Sequence, residues 1–287
     1  MGLSRTTIWR KFSPFFSYFV SAAKINQIIT KNCGDFSPKP WVLGLDGKWL
    51  RRLGIIIIYR DITDKINLFW SFHPSESYDS LKKDFETFSP LINDNLPRGV
   101  ISDWKGSIRA SVSAFLGDIP HQRCLSHVQR EAFRLLPLKS PYLATRELRK
   151  IASEMILISD PSDLCEWVLQ LDVWIEKYQS FLKEKTIGIN TKKKWWYTHG
   201  NLRRAYRLLS QNHEHSFCYL KYPFLPTTNN SLEGVNSQIK SKLGTHRGMK
   251  INQQVSFVFW WLAFSRVKNN QDVRKLWALI KNEIFAG

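Results

Sequence analysis

Three carboxylates stand where phosphodiester chemistry would need them: Asp46 inside the strand-like run 41–50, Asp103 directly after Gly99-Val100-Ile101-Ser102, and Glu233 in the stretch 227–242. Two hard cations held by a few such oxygens activate water and stabilise a leaving 3′ oxygen. Taken singly, the first two acids are ordinary: Asp-Gly is a turn dipeptide, and an Asp closing a strand often caps the next helix. Glu233 adds weight, because Asn229, Glu233, Asn236 and Lys240 recur at helical spacing and give one face an amide, a carboxylate, an amide and an ammonium. The bland account of that face is a solvated helix with a capping box formed by Asn230 and Glu233. It leaves unexplained the basic residues Lys240, Lys242, Arg247 and Lys250 that follow without any acid.

The elements that must position these acids follow from periodicity. Three short strand-like runs at 42–47, 54–59 and 66–72 are joined by short polar connections, which predicts an antiparallel meander. Ile55 to Ile58 is apolar on both faces, as in a sheet covered on both sides. Residues 77–92 carry Leu81, Phe85, Phe88 and Ile92 on one helical face. A fourth buried strand at 99–103, a helix at 107–116 and a short fifth strand at 119–124 complete the order β-β-β-α-β-α-β. That is the order of a ribonuclease H-like α/β fold, in which the first and fourth strands are neighbours and Asp46 and Asp103 meet at one edge of a mixed sheet.

From 128 to about 222 the spacing is helical almost throughout, clearest at 143–158, 163–185 and 201–209, which predicts an all-α insertion before Glu233. His213 and His215 are expected on opposite faces of a strand. A helix from 230 to 243 would carry Glu233 in its first turn, and helices at 253–267 and 271–285 close the chain, with Trp260 and Trp261 in the core. The expected organisation is an arm and linker at 1–40, the first part of the catalytic core at 41–130, the insertion at 131–226 and the closing helices at 227–287. The Pro- and Ser-containing segment 35–40 is the clearest linker.

The composition restricts the partners. The chain has 287 residues, 43% hydrophobic and 14% aromatic, enough for a substantial core. Its net charge of +18 and pI near 9.8 exceed what solubility requires and attract polyanions, of which nucleic acid is the commonest. Four cysteines without framework spacing read as reduced thiols. The longest strongly apolar run, 255–264, is about half of a membrane span.

At the N-terminus, residues 5–23 imitate a signal peptide, spoiled by Pro14 and interspersed serines, and the first six residues match a loose myristoylation pattern. The alternative there is the turn and recognition helix of a helix-turn-helix over 2–11, with Arg5, Thr6 and Arg10 reaching DNA and the first helix missing. A second basic track, 192–207, combines Lys192, Lys193, Lys194, Arg203, Arg204 and Arg207 with Trp195, Trp196 and Tyr197 and contains no acid. Cations there would meet phosphates while the aromatics stack on unpaired bases; otherwise the tryptophans anchor the insertion to the core. Lys242 and Arg247 extend the basic surface beyond Glu233.

Leu45-Asp46-Gly47, Ser102-Asp103, Cys124-Leu125-Ser126-His127 and Thr228-Asn229-Asn230-Ser231-Leu232-Glu233-Gly234-Val235-Asn236, with Lys240 and Arg247 beyond, resemble in their order the bacterial insertion-sequence transposases of the Mutator-like group. The resemblance covers about residues 41–270. It implies a DDE transposase with Asp46, Asp103 and Glu233 as catalytic residues and ligands of two Mg²⁺ (or Mn²⁺) ions, with Cys124, His127, Asn229, Asn236 and Lys240 near the pocket. Cys124 and His127 form only half of a zinc site, no second pair has ligand spacing, and no zinc is expected. The implied partner is double-stranded DNA, both element ends and target, bound by a homo-oligomer in a prokaryotic cytoplasm and nucleoid, with no membrane. Related full-length proteins are longer at the N-terminus. A truncated or repurposed DNA-binding protein and a ribonuclease H-like nuclease without strand transfer are the alternatives.

Overall fold

The computed structural model describes residues 40–50, 53–92, 95–188, 194–246 and 248–285, together with Thr7, Phe15, 18–21 and Ile25. The expected helix-turn-helix over 2–11 except Thr7, the linker 35–40 except Pro40, and Lys192, Lys193 and Arg247 lie outside the described residues. The chain is a mixed α/β protein of two compact units, the first made of 1–119 and 229–287, the second of 120–228.

The first unit contains strands β1 (Val42–Trp49), β2 (Ile55–Asp61), β3 (Ile66–His73) and β4 (Gly99–Ser102), ordered β3-β2-β1-β4. The meander is antiparallel as expected, with Asp46 opposite Ile58 and Ile58 opposite Trp70. β4 pairs parallel to β1, Val42 with Gly99 and Gly44 with Ile101, and continuing that register brings Asp46 level with Asp103. β1, β3 and β4 therefore all run toward the same edge of the sheet. β2 is buried at every position, which the two-residue alternation of side chains allows only if both faces are covered.

Helix α1 (Tyr78–Ile92) buries Leu81, Phe85, Phe88 and Ile92, the face anticipated from spacing. Tyr59 of β2 meets Phe85 and Phe88 with ring centroids 5.5 and 5.0 Å apart. Helix α2 (Gly106–Leu116) follows β4. The chain returns to this unit as α9 (Asn230–Thr245), which lies against β1, α10 (Ile251–Phe264), which lies against β3, and α11 (Asn270–Phe285). Leu232, Val235 and Ile239 of α9 join the same core as the sheet. Trp260 and Trp261 pack against that core but are only partly buried, because the run 257–264 of α10 is apolar on every side and must leave one side outward.

The second unit holds β5 (His121–Arg123), α3 (Leu125–Leu135), α4 (Leu143–Glu154), a 3₁₀ turn (Met155–Leu157), α5 (Pro161–Lys183), β6 (Lys185–Ile187), β7 (Trp195–Tyr197), α6 (Gly200–Ser210), α7 (His213–Ser216) and α8 (Cys218–Lys221). Asp160 caps α5 by accepting from the backbone N–H groups of Ser162 and Asp163, with Pro161 in the first turn. Trp167 and Trp174 of α5 are buried, their indole N–H groups donating to the carbonyls of Ile151 and Ala144.

Two expectations are corrected here. The insertion is not all-α: β6 and β7 form an antiparallel hairpin, Thr186 opposite Trp196. Three-residue strands lie below the length at which alternation can be recognised, although Lys185-Thr186-Ile187 and Trp195-Trp196-Tyr197 have the β-branched and aromatic content of strands. His213 and His215 lie in a helical turn and not in a strand, with the His213 ring 2.8 Å from the Leu209 carbonyl. Among the described residues, no helix is long and apolar enough to cross a membrane.

Candidate active site

The sheet edge reached by β1, β3 and β4 gathers the acids. Asp46 is 6% exposed, in the middle of β1, with its side chain fixed at both oxygens: Oδ1 accepts from the Gly47 N–H at 2.9 Å and Oδ2 from Asn236 Nδ2 at 2.7 Å. Burial first, and then the neighbouring charge of Asp103, push the Asp46 carboxyl up to about 7; the Gly47 N–H and Lys105 oppose the shift, and Glu233 adds to it. Asp103 and Glu233 thus both lie within electrostatic reach of Asp46, the convergence that the spacing anticipated.

Asp103 follows β4, and its side chain is 9% exposed. Its Oδ1 accepts from the Lys105 backbone N–H at 3.2 Å, so the turn-forming role of an Asp at a strand end is present too. Its Oδ2 lies 2.9 Å from the Lys105 ammonium. Glu233 sits in the first turn of α9 as expected. The capping box is corrected: the residue before the helix is Asn229, and its side chain makes no capping bond. It is fully buried instead, with Nδ2 3.4 Å from the Leu45 carbonyl.

Asn236 is 8% exposed, and its Oδ1 is buried without a hydrogen bond. The polar face of α9 is therefore not a solvated surface: its first two amides lie against β1, and only Lys240 is exposed. Gly44 leaves room for this contact, since a Cβ there would lie 3.1 Å from Asn229 Oδ1.

Two residues at this edge escaped the sequence reading. Glu76, in the loop between β3 and α1, has a side chain only 4% exposed and bonds through Oε2 to the Lys105 ammonium. Its Oε1 is buried without a hydrogen bond and lies 3.1 Å from where a Cβ on Gly47 would stand. Burial raises Glu76, Lys105 opposes this, and Asp103 and Asp46 raise it further. Burial works to lower Lys105, yet Glu76 and Asp103 together raise it. The signal for Glu76 was topological: in a meander the third strand ends at the same edge as the first.

The donor set is carboxylate and amide oxygens, which suits a hard cation. Orphaned oxygens on Glu76 and Asn236 and a carboxyl held near 7 are what an acidic cluster short of positive charge presents, so the residues fit Mg²⁺ or Mn²⁺.

Cys124 and His127 belong to the second unit, where Cys124 is buried immediately before α3 and its carbonyl accepts from the His127 N–H. Trp195 and Trp196 of β7 are 47% and 42% exposed and do not serve as core anchors. Lys185 stands over the Trp195 ring at 4.1 Å. Arg203 lies over Tyr197 at 3.6 Å and donates to the Leu182 carbonyl, so it builds the unit as well as charging it. Lys194, Arg204, Arg207 and Lys242 are exposed. Compared with protein-family models the chain matches none, and a comparison with curated proteins also gives no match.

Proposed function

We propose that this chain is a DDE transposase, cleaving and joining DNA with divalent metal ions at Asp46, Asp103 and Glu233. The observation that carries this reading is the convergence of three acids from β1, the end of β4 and the start of α9 at one sheet edge, with the central one buried and its carboxyl raised to about 7. A structural Asp would be paired with a base or left in solvent; Asp46 instead shares its surroundings with other acids.

Asp46 would hold both ions, Asp103 one and Glu233 the other, and the pair would supply activation of water and stabilisation of the leaving 3′ oxygen. The Gly47 N–H and the Asn236 amide prevent the Asp46 carboxylate from rotating, which pre-orients its remaining lone pairs. Water would hydrolyse the phosphodiester at the element end and free its 3′ hydroxyl, which would then attack a target phosphodiester and displace the target strand's own 3′ oxygen, with no covalent protein intermediate. The exposed Lys194, Trp195, Trp196, Arg204 and Arg207 favour the DNA backbone and unpaired bases as the ligand of the second unit.

The test is Asp103→Asn in an assay with an end-containing DNA, a target DNA and Mg²⁺. Cleavage and joining should both disappear while salt-dependent DNA binding stays within about twofold of wild type. Retained cleavage in the variant refutes the assignment. Cleavage by wild type without joining would make the chain a nuclease, and binding without any Mg²⁺-dependent chemistry would make it a DNA-binding protein.

A further inference from the structure

Four acidic side chains, Asp46, Glu76, Asp103 and Glu233, act on one another at the sheet edge, and among the described residues Lys105 is the cation in contact with two of them. Its ammonium touches Oδ2 of Asp103 on one side and Oε2 of Glu76 on the other. Carboxylates this little exposed are costly to bury without a counter-charge. Local backbone is distorted to supply one. Trp104 adopts a left-handed conformation, φ 70°, which a bulky residue takes only against a steric penalty. That turn, fixed by Ser102 Oγ and Asp103 Oδ1 accepting from the N–H groups of Trp104 and Lys105, folds the Lys105 side chain back over Asp103.

We infer that Lys105 is the resident cation of this pocket: a divalent ion must displace its ammonium from Asp103, and Glu76 then retains the ammonium at the rim, where it meets a phosphate oxygen of the DNA. This rests on the reading of Asp46, Asp103 and Glu233 as metal ligands. The ammonium occupies Oδ2 of Asp103, an oxygen open to a metal ion, and two cations on one oxygen repel even with water at the Lys105 side chain, which is 45% exposed. Glu76 is suited to keep the displaced group because its second oxygen, Oε1, is buried and has no hydrogen bond. Glu76 is thus a positioning residue, and Lys105 makes metal entry a cation exchange in place of a simple addition.

The experiment measures Mn²⁺ binding to the metal-free full chain, without DNA, by calorimetry and by electron paramagnetic resonance of the unbound ion. Lys105→Met should bind Mn²⁺ about tenfold more tightly than wild type, because the competitor is gone. The double variant Glu76→Gln/Lys105→Met leaves the pocket charge unchanged and should still bind more tightly than wild type. Asp46→Asn should bind far more weakly. Affinity in Lys105→Met that is equal to or below wild type overturns the inference, and so does a double variant that returns to the wild-type value, which would reduce the effect to net charge. If Asp46→Asn binds Mn²⁺ like wild type, or wild type binds none, the ligand reading itself fails. Should Lys105→Met not fold by circular dichroism, Lys105→Gln provides the same comparison.

Discussion

Asp46→Asn should make the metal-free protein more stable while removing its proposed chemistry. A carboxyl whose value rises from 3.8 in the unfolded chain to about 7 in the folded one binds more protons folded than unfolded across that interval. The unfolding free energy therefore falls as pH rises from about 4 to 7 and stays low above it. At roughly 1.4 kcal/mol per unit, the full penalty above pH 7 is about 4 kcal/mol. Between pH 5 and pH 8 the wild type should lose about 2–3 kcal/mol through this one group.

The amide is nearly isosteric and uncharged. Its oxygen can keep the Gly47 N–H, and a flip of Asn236 would turn the orphaned Oδ1 toward the new NH₂ group. Urea denaturation in the presence of a chelator, at pH 5 and pH 8, is the assay. The variant should exceed wild type by about 2–4 kcal/mol at pH 8, by less at pH 5, and should show a flatter pH dependence. Saturating Mg²⁺ should narrow the gap by stabilising wild type alone. A variant that is less stable than wild type at pH 8, or that keeps the wild-type pH slope, refutes the argument that Asp46 is held in an uncompensated acidic setting.

Mg²⁺ affinity of the wild type should rise with pH up to about 7 and then level off, since the ion must displace the proton that Asp46 holds below that value; titration calorimetry across pH 6 to 8 measures it, and a flat profile counts against Asp46 as a ligand. Gly54→Ala should destabilise the protein by more than about 2 kcal/mol in the same urea assay, because Gly54 has φ +150° and a Cβ there would stand 2.3 Å from the His73 carbonyl oxygen. Replacing Trp195 and Trp196 together with Ala should weaken binding of single-stranded more than duplex DNA, by about 1–3 kcal/mol per stacked base, with the salt slope unchanged in fluorescence anisotropy; equal loss on both DNAs would return the hairpin to a structural role.

Much of this site could be read before any coordinates because it is carried by regular elements. Asp46 and Asp103 lie at fixed points on strands whose apolar runs are plain, and the β1–β4 register extends to both. Glu233 was visible because helical spacing linked it to Asn229 and Asn236. What spacing could not give was the burial of those two amides: a polar face was expected to meet solvent, and it meets β1. Glu76 lies in a connecting loop, where no period marks a residue as inward. Lys105 depends on one left-handed residue, Trp104, a conformation that its side chain gives no reason to expect. The β6–β7 hairpin was hidden because three-residue strands bury almost nothing and so leave no pattern.

The division of the first unit into 1–119 and 229–287 has a consequence during synthesis. At bacterial and eukaryotic elongation rates of about 5–20 residues per second, the intervening segment takes roughly 5–20 s to emerge. For that interval the nascent sheet lacks Leu232, Val235 and Ile239, and its incomplete apolar face is open to chaperones. Asp46 is then without Asn236, and Glu233 does not yet exist. The carboxylate set is completed only when the chain beyond Asn229 has left the ribosome, so the proposed metal site cannot form on a nascent chain that ends before it.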